Sequence, residues 1–317
     1  LVAIVGEGRS GTSLFGQMVF DSLPSYVYLY EPCRLRRGLL HGEECARYVA
    51  RAFSCSLSLN AFSQLLDDWG AFAKGRLVRD AHQLRGRTRQ LPDEWNRVEA
   101  APSYMKREWL YTAWHARCVD SHMAVKVIRV RYWRELRPLV EAQPSLRLIH
   151  LLRAPEAVVA SRLRVREFYA WNSEWNANGT RLGVVHDVCD RMAAKQNASA
   201  EFPRLQTMEL RYETLRARPL ASVSIVYRWL GFSDAVPASV RAGVAGCEAS
   251  VAGRAAMRVD DAPAAVSELK SAVERDGPIR CPRVGLGNLS ELLSPRLLGE
   301  MDQRASCQQV RNRWYNK

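Results

Sequence analysis

The sequence predicts an α/β fold: a P-loop-like parallel sheet flanked by helices, read as one domain over residues 1–317 with a helical insertion at 36–121. Three observations lead there. The chain opens on LVAIVG (Leu1 to Gly6), a short, wholly apolar run, as expected for a strand buried on both faces of a parallel sheet. GEGRSGTS (Gly6 to Ser13) follows at once and is close to the phosphate loop GxxxxGK[ST], with Gly6 first, Gly11 sixth and Ser13 last. Beyond it, strand-like and helix-like stretches alternate, as in right-handed βαβ units.

After the loop, Leu14, Phe15, Met18 and Val19 recur at helical spacing from Thr12, and Pro24 lies past the end. VYLY (Val27 to Tyr30) reads as a second strand running into Glu31 and Pro32. Pro32 biases Glu31 toward an extended backbone. The insertion is rich in Arg and Trp and reads as mostly helical, its tryptophans (Trp69, Trp95, Trp109, Trp114) serving packing rather than sugar stacking. AVKVIRV (Ala124 to Val130) resumes the strand pattern, a helix is expected over Trp133 to Ala142, and RLIHLL (Arg147 to Leu152) is a second buried strand. His150 inside that strand reads as a core histidine. APEAVVASRLRVREF then forms a helix with Pro155 in its first turn. Further elements are a helix over Asp187 to Phe202, a strand at Leu205 to Leu210, a helix from Pro219 to Leu230 ended by Gly231, and one closing helix from Ser294 to Tyr315.

Lys plus Arg number 46 against 33 Asp plus Glu, a formal charge of +13. An anionic partner is indicated. Zinc-finger spacing, an RNP motif and a continuous basic helix are all missing, which argues against nucleic acid. The arginine-rich distribution suits phosphate, sulfate or carboxylate held by planar forks, although a merely soluble basic surface has the same composition. No stretch approaches the ~18 uninterrupted apolar residues of a membrane span. Eight cysteines (Cys33, Cys45, Cys55, Cys118, Cys189, Cys247, Cys281, Cys307) include no CxxC pair, which disfavours a metal site. Together with three sequons, at Asn178, Asn197 and Asn288, they point to the secretory pathway and to disulfides. Cys55 and Cys118 bracket the insertion, and Cys189 with Cys307 would join a middle helix to the last one.

The loop departs from the nucleotide-kinase pattern where it matters chemically. Thr12 stands where the lysine should be, and Arg153 ends RLIHLL where a magnesium-binding aspartate would stand. Such a site suits a bare phosphate rather than a metal triphosphate. Backbone N–H groups at Ser10, Gly11, Thr12 and Ser13, with three hydroxyls and Arg9, form an anion nest. Arg153 and Ser161, eight residues apart, make a second phosphate site at the carboxyl edge of the sheet.

RSGTS, LYEP, KVI, LIHLLRAPEAVVASR and LRYETL, in that order, resemble the sulfotransferases that use 3′-phosphoadenylyl sulfate (PAPS). Among them the chain is most similar to Golgi carbohydrate 6-O-sulfotransferases acting on galactose, N-acetylgalactosamine or N-acetylglucosamine of keratan and chondroitin chains. The resemblance runs from Leu1 to about Phe232 and fades after that, though the C-terminal helix with Cys307 is similar too. It implies a sulfotransferase fold, PAPS as co-substrate without a metal, and an anionic glycan acceptor. It also implies a Golgi-lumen location, any membrane anchor lying upstream of this sequence. Arg9 to Ser13 then match the 5′-phosphosulfate loop, Arg153 and Ser161 the 3′-phosphate pair, and Tyr212 a tyrosine near the nucleotide. Glu31 matches the proposed catalytic base, expected to have a raised pKa beside an anionic donor, with Arg9 stabilising the leaving phosphate.

Where the family usually writes RDPRAV this chain has RAPEAV, so Ala154 lacks a helix N-cap and Glu156 brings negative charge toward the 3′-phosphate. Lys126, Arg129, Arg164 and Arg166 are candidates for the acceptor's anionic groups or are solvated surface charges. Glu31 has a structural alternative, an ion pair with Arg9 or Arg34. A protein-tyrosine or heparan sulfotransferase, a P-loop kinase and an inactive glycan-binding relative are the competing readings of the whole chain.

Overall fold

The first strand, β1 (Val2–Gly6), is buried along its whole length. Its alternate residues feed two different cores: Ala3 and Val5 pack on one side, Val2 and Ile4 on the other. Such a strand must lie in the middle of a sheet covered on both faces. The computed structural model places it there, and describes residues 1–8, 10–21, 23, 25–29, 31–35, 38–68, 103–164, 180–196, 198–232, 236–238, 240–241, 244 and 293–315. Four parallel neighbours complete the sheet: β2 (Tyr26–Leu29), β5 (His122–Val127), β6 (Arg147–Leu152) and β7 (Gln206–Arg211), in the order β2-β5-β1-β6-β7. Every carboxyl end therefore opens on one edge. The order reverses between β1 and β6, the place where open α/β sheets form their ligand crevice.

One face carries α1 (Thr12–Gly16), extended by a π-helical turn over Gln17–Asp21, with α9 (Tyr212–Ala217) and α10 (Pro219–Trp229). The insertion covers the opposite face. Its start falls within a two-stranded hairpin, β3 (Arg34–Leu35) with β4 (Gly38–Leu39), and it continues through α2 (Gly42–Phe53), α3 (Leu59–Asp68) and α4 (Ser103–Asp120). Trp114 is buried and stacked on Phe62 at 5.1 Å, a packing role. Trp69, Trp95 and the three sequon asparagines lie outside the described residues. A 3₁₀ turn (Trp133–Leu136) leads into α5 (Arg137–Ala142) on the same face. A third cluster packs α6 (Pro155–Arg164) and α7 (Arg181–Ala194) against α11 (Pro295–Gln303) and α12 (Ala305–Trp314).

Several boundaries differ from the sequence expectation. The helix expected over Asp187 to Phe202 is two: α7 starts at Arg181, capped by the Thr180 hydroxyl accepting the Gly183 N–H at 2.9 Å, and α8 (Ala198–Glu201) is separate. The closing helix breaks at Arg304, whose extended backbone (φ −76°, ψ 121°) ends α11 and opens α12. Asp190 stabilises the break by accepting from Arg304 at 2.7 Å and from the Ser306 hydroxyl at 2.7 Å. Both expected disulfides form, Cys55–Cys118 and Cys189–Cys307, with Cα separations of 5.8 and 4.8 Å. Closing loops of 63 and 118 residues, each removes about 4 to 5 kcal/mol of denatured-chain entropy in the loop-closure treatment. A third, Cys33–Cys45, was not anticipated, and Cys247 and Cys281 lie outside the described residues.

His150 is a core residue, set edge-on to Trp133 at 4.8 Å and to Trp314 at 5.7 Å. Burial, reinforced by the nearby Lys195 charge, holds its imidazole down at about 3. The unfolded chain takes up that proton near the ordinary histidine value, so the stability this residue contributes is complete above about pH 6.5 and is lost as pH falls toward 3. Between pH 7 and 5 the wild-type protein should lose about 2 kcal/mol through this one group. His150→Phe should flatten that part of the profile, as read by urea unfolding at the two pH values. An unchanged slope in the variant would remove His150 as the cause.

Candidate active site

The loop after β1 begins with a buried carboxylate rather than a glycine. Glu7 is 3% exposed and accepts from Lys195, from Arg162 at 3.0 Å and from Arg191 at 3.2 Å. Burial alone would raise this carboxyl, but the three cations outweigh it and hold it at about 2. Arg162 also donates to the Gly8 carbonyl at 3.3 Å and to Asp187 at 2.8 Å, and Lys195 to the Val130 carbonyl at 3.1 Å. The loop is thereby fastened to α6, α7 and the segment after β5. Nothing in the sequence reading singled out these five charged residues. Their signal is only that Glu7 follows an apolar strand directly and Arg162 interrupts an apolar helix.

Gly11 has φ +98°, and a Cβ there would come within 2.3 Å of the Tyr212 ring. Glycine is required on both counts. The chain turns from the Ser10 N–H, bonded to Glu7 O at 2.9 Å, into α1, where Phe15 N–H bonds Gly11 O at 3.0 Å. First-turn N–H groups of a helix have no intrahelical acceptor, so those after Gly11 face the sheet edge as donors. Ser10 and Thr12 are buried, and the Ser10 hydroxyl has no hydrogen-bond partner among the described residues. A small anion matches this surplus of donors. Arg9 lies outside the described residues.

Among the described residues, a cation reaches this loop from another strand. Lys126 sits in β5 with the same pleat parity as Ala124, which packs on the α1 face. Its ammonium accordingly reaches α1, donating to Ser13 Oγ at 2.7 Å, and also donates to Glu31 Oε1. Arg129 lies 3.9 Å from Glu31 Oε2. Lys126 and Arg129, candidates for acceptor contacts or for solvated surface charges, are not solvated: they are buried around Glu31, at 3% and 8% exposure. The alternative partners of Glu31, Arg9 and the Arg34 side chain, lie outside what the structure describes, and among the described side chains Glu31 pairs with Lys126 and Arg129. An extended Glu31 is corrected as well: its φ is +46°, the left-handed region, despite Pro32. A non-glycine residue held there costs about 1–3 kcal/mol. The turn brings its carboxylate back to the β5 edge, where the ion pair with Lys126 offsets that cost.

At the second edge, Arg153 and Ser161 are each 8% exposed, one after β6 and the other inside α6. The Arg153 guanidinium lies 4.7 Å from the centre of the Tyr212 ring. Tyr212 therefore touches both loops, covering Gly11 and Arg153 at once. Glu156, which seemed to threaten an anion here, is paired with Arg311 of α12 at 2.5 Å. Arg164 is exposed at the end of α6, and Arg166 lies outside the described residues.

A carbohydrate sulfotransferase 6 of Homo sapiens is 25% identical over 257 residues, covering 73% of this chain and 64% of that protein. A carbohydrate sulfotransferase 1 of Danio rerio is 30% identical over 122 residues, 35% of this chain and 29% of its own length. The chain thus spans less than two thirds of these relatives. A solved sulfotransferase of Mycobacterium avium superposes with TM-score 0.40 at 15% identity, covering 86% of this chain and 75% of that one. Residues 2–235 match the Sulfotransferase family, and the chain belongs to that family.

Proposed function

We propose that the protein transfers a sulfuryl group from 3′-phosphoadenylyl sulfate to a sugar hydroxyl, the expected acceptor being the 6-hydroxyl of a glycosaminoglycan or related anionic glycan. The observation that carries this reading is the Lys126 ammonium, shared between Ser13 of the phosphate loop and the Glu31 carboxylate. One cation thereby links a phosphate cradle to a base. The donor supplies an activated sulfuryl group on a phosphate leaving group. Glu31 takes the proton of the acceptor hydroxyl as the new S–O bond forms. Lys126, the Ser13 hydroxyl and Arg9 stabilise the charge left on the bridging phosphate oxygen as the old S–O bond breaks. Arg153, Ser161 and Tyr212 hold the 3′-phosphate end, and in-line geometry follows from fixing both phosphates. The carbohydrate acceptor is supported by the names of the relatives. A Golgi-lumen location is in keeping with three disulfides among the described residues.

Adenosine 3′,5′-bisphosphate, the nucleotide product, should bind in the presence of EDTA, and calorimetry reads this directly. Arg153→Ala should weaken the bisphosphate by roughly tenfold or more, the scale of a charge-assisted contact, while leaving adenosine 5′-phosphate within about twofold. Equal weakening of both nucleotides would put the 3′-phosphate elsewhere.

Glu31→Gln keeps the side-chain shape and removes its basicity. Turnover with labelled PAPS and a glycan acceptor should fall roughly 100-fold or more, with bisphosphate affinity nearly intact. A Gln variant that sulfates at the wild-type rate would eliminate Glu31 as the base.

A further inference from the structure

Ala154 opens α6, its carbonyl accepting the Val158 N–H at 3.1 Å. It therefore occupies the N-cap, where Ser, Thr, Asp or Asn usually supplies an acceptor. A capping box would add a Glu or Gln three residues on, reaching back to the N-cap N–H. Here that position is Ala157, buried and without a side-chain acceptor. The chain has neither half of the box in α6 itself.

The missing carboxylate comes from another helix. Glu213, in the first turn of α9, accepts the Ala154 N–H on Oε1 at 2.9 Å and the Tyr315 hydroxyl on Oε2 at 3.4 Å. The Ala154 nitrogen belongs to the planar peptide unit that follows Arg153, so this bond fixes the backbone from which the Arg153 side chain departs. Around it, Tyr212 packs on the Arg153 guanidinium and Arg311 of α12 holds Glu156. Burial and Glu213 together raise the Tyr315 phenol well above its ordinary value, which keeps it a donor. The C-terminal helix is itself bonded to α7 through Cys189–Cys307.

We propose that Glu213 is a positioning residue for the 3′-phosphate. It supplies the capping-box carboxylate of α6 in trans and, braced by Tyr315, sets the Arg153 backbone so that the guanidinium is presented in one orientation. The inference rests on the donor site proposed above. Electrostatics and positioning make opposite forecasts for Glu213. Removing a carboxylate near a bound phosphate should by charge alone tighten the anion, whereas losing the hydrogen bond should loosen it.

Calorimetry of the wild type, Glu213→Ala and Glu213→Gln with adenosine 3′,5′-bisphosphate and with adenosine 5′-phosphate separates these effects. Glu213→Ala should lose roughly tenfold in bisphosphate affinity and less than about twofold for the monophosphate, the scale of one charge-assisted hydrogen bond. Glu213→Gln, whose amide oxygen still accepts the Ala154 N–H, should stay within about threefold of the wild type for both. A Glu213→Ala protein that binds the bisphosphate as tightly as the wild type, or more tightly, overturns the proposal, as does equal loss for the two nucleotides. A wild-type protein without preference for the bisphosphate overturns the donor-site reading itself, and this inference with it.

Discussion

The buried carboxylate of Glu7 is the interaction on which the rest of the site hangs. Taking a carboxylate and three cations out of water costs several kcal/mol per ion unless geometry and hydrogen bonding compensate. Here Lys195, Arg162 and Arg191 all donate to it, while Arg162 and Lys195 use their remaining donors on Asp187 and on the Gly8 and Val130 carbonyls. Such a network is weak evidence for net stability, since apolar packing of the same volume often does as well. Its effect is positional. It ties the end of β1, the exit of β5 and the helices α6 and α7 to one point, and the phosphate loop starts at that point.

From there the parallel sheet does the gathering. All five strands end on one edge, so residues just past β1, β2, β6 and β7 and one near the end of β5 become neighbours although they are far apart in the chain. In place of the lysine absent from the loop, Lys126 reaches it from 113 residues beyond Ser13, because β5 pairs directly with β1 and the pleat turns that residue toward α1. The same ammonium holds Glu31. The loop after β1, the Glu31 carboxylate and the Lys126 ammonium are thus mechanically linked, and a left-handed backbone at Glu31 is tolerated because the ion pair over-determines it.

The other edge is held from outside. Arg311 neutralises Glu156, Tyr315 steadies Glu213, and the Trp314 indole donates to Glu209 of β7 at 3.2 Å. These contacts come from the last helix, beyond the residues 2–235 that match the family. They answer the two departures from the family pattern at Ala154 and Glu156: the capping carboxylate and the compensating charge are supplied by helices distant in sequence.

The sequence by itself determined the fold class, the glycine-rich loop after the first strand and the family. Apolar runs such as LVAIVG, the glycines of GEGRSGTS and the proline opening α6 act through local sterics and burial, which short stretches encode. Two of the disulfides were guessed from position, Cys55 with Cys118 around the insertion and Cys189 with Cys307 between two helices, although eight cysteines allow 105 complete pairings and the sequence does not choose among them. What only the tertiary structure decided was which charges meet. Glu7, Lys195 and Arg162 looked like ordinary charged residues, Lys126 and Arg129 like surface cations, and Glu31 like an extended strand end. Their roles depend on strand order, pleat parity and helix docking, none of which a local pattern specifies, because an ion pair forms between groups adjacent in space and takes no account of their separation along the chain.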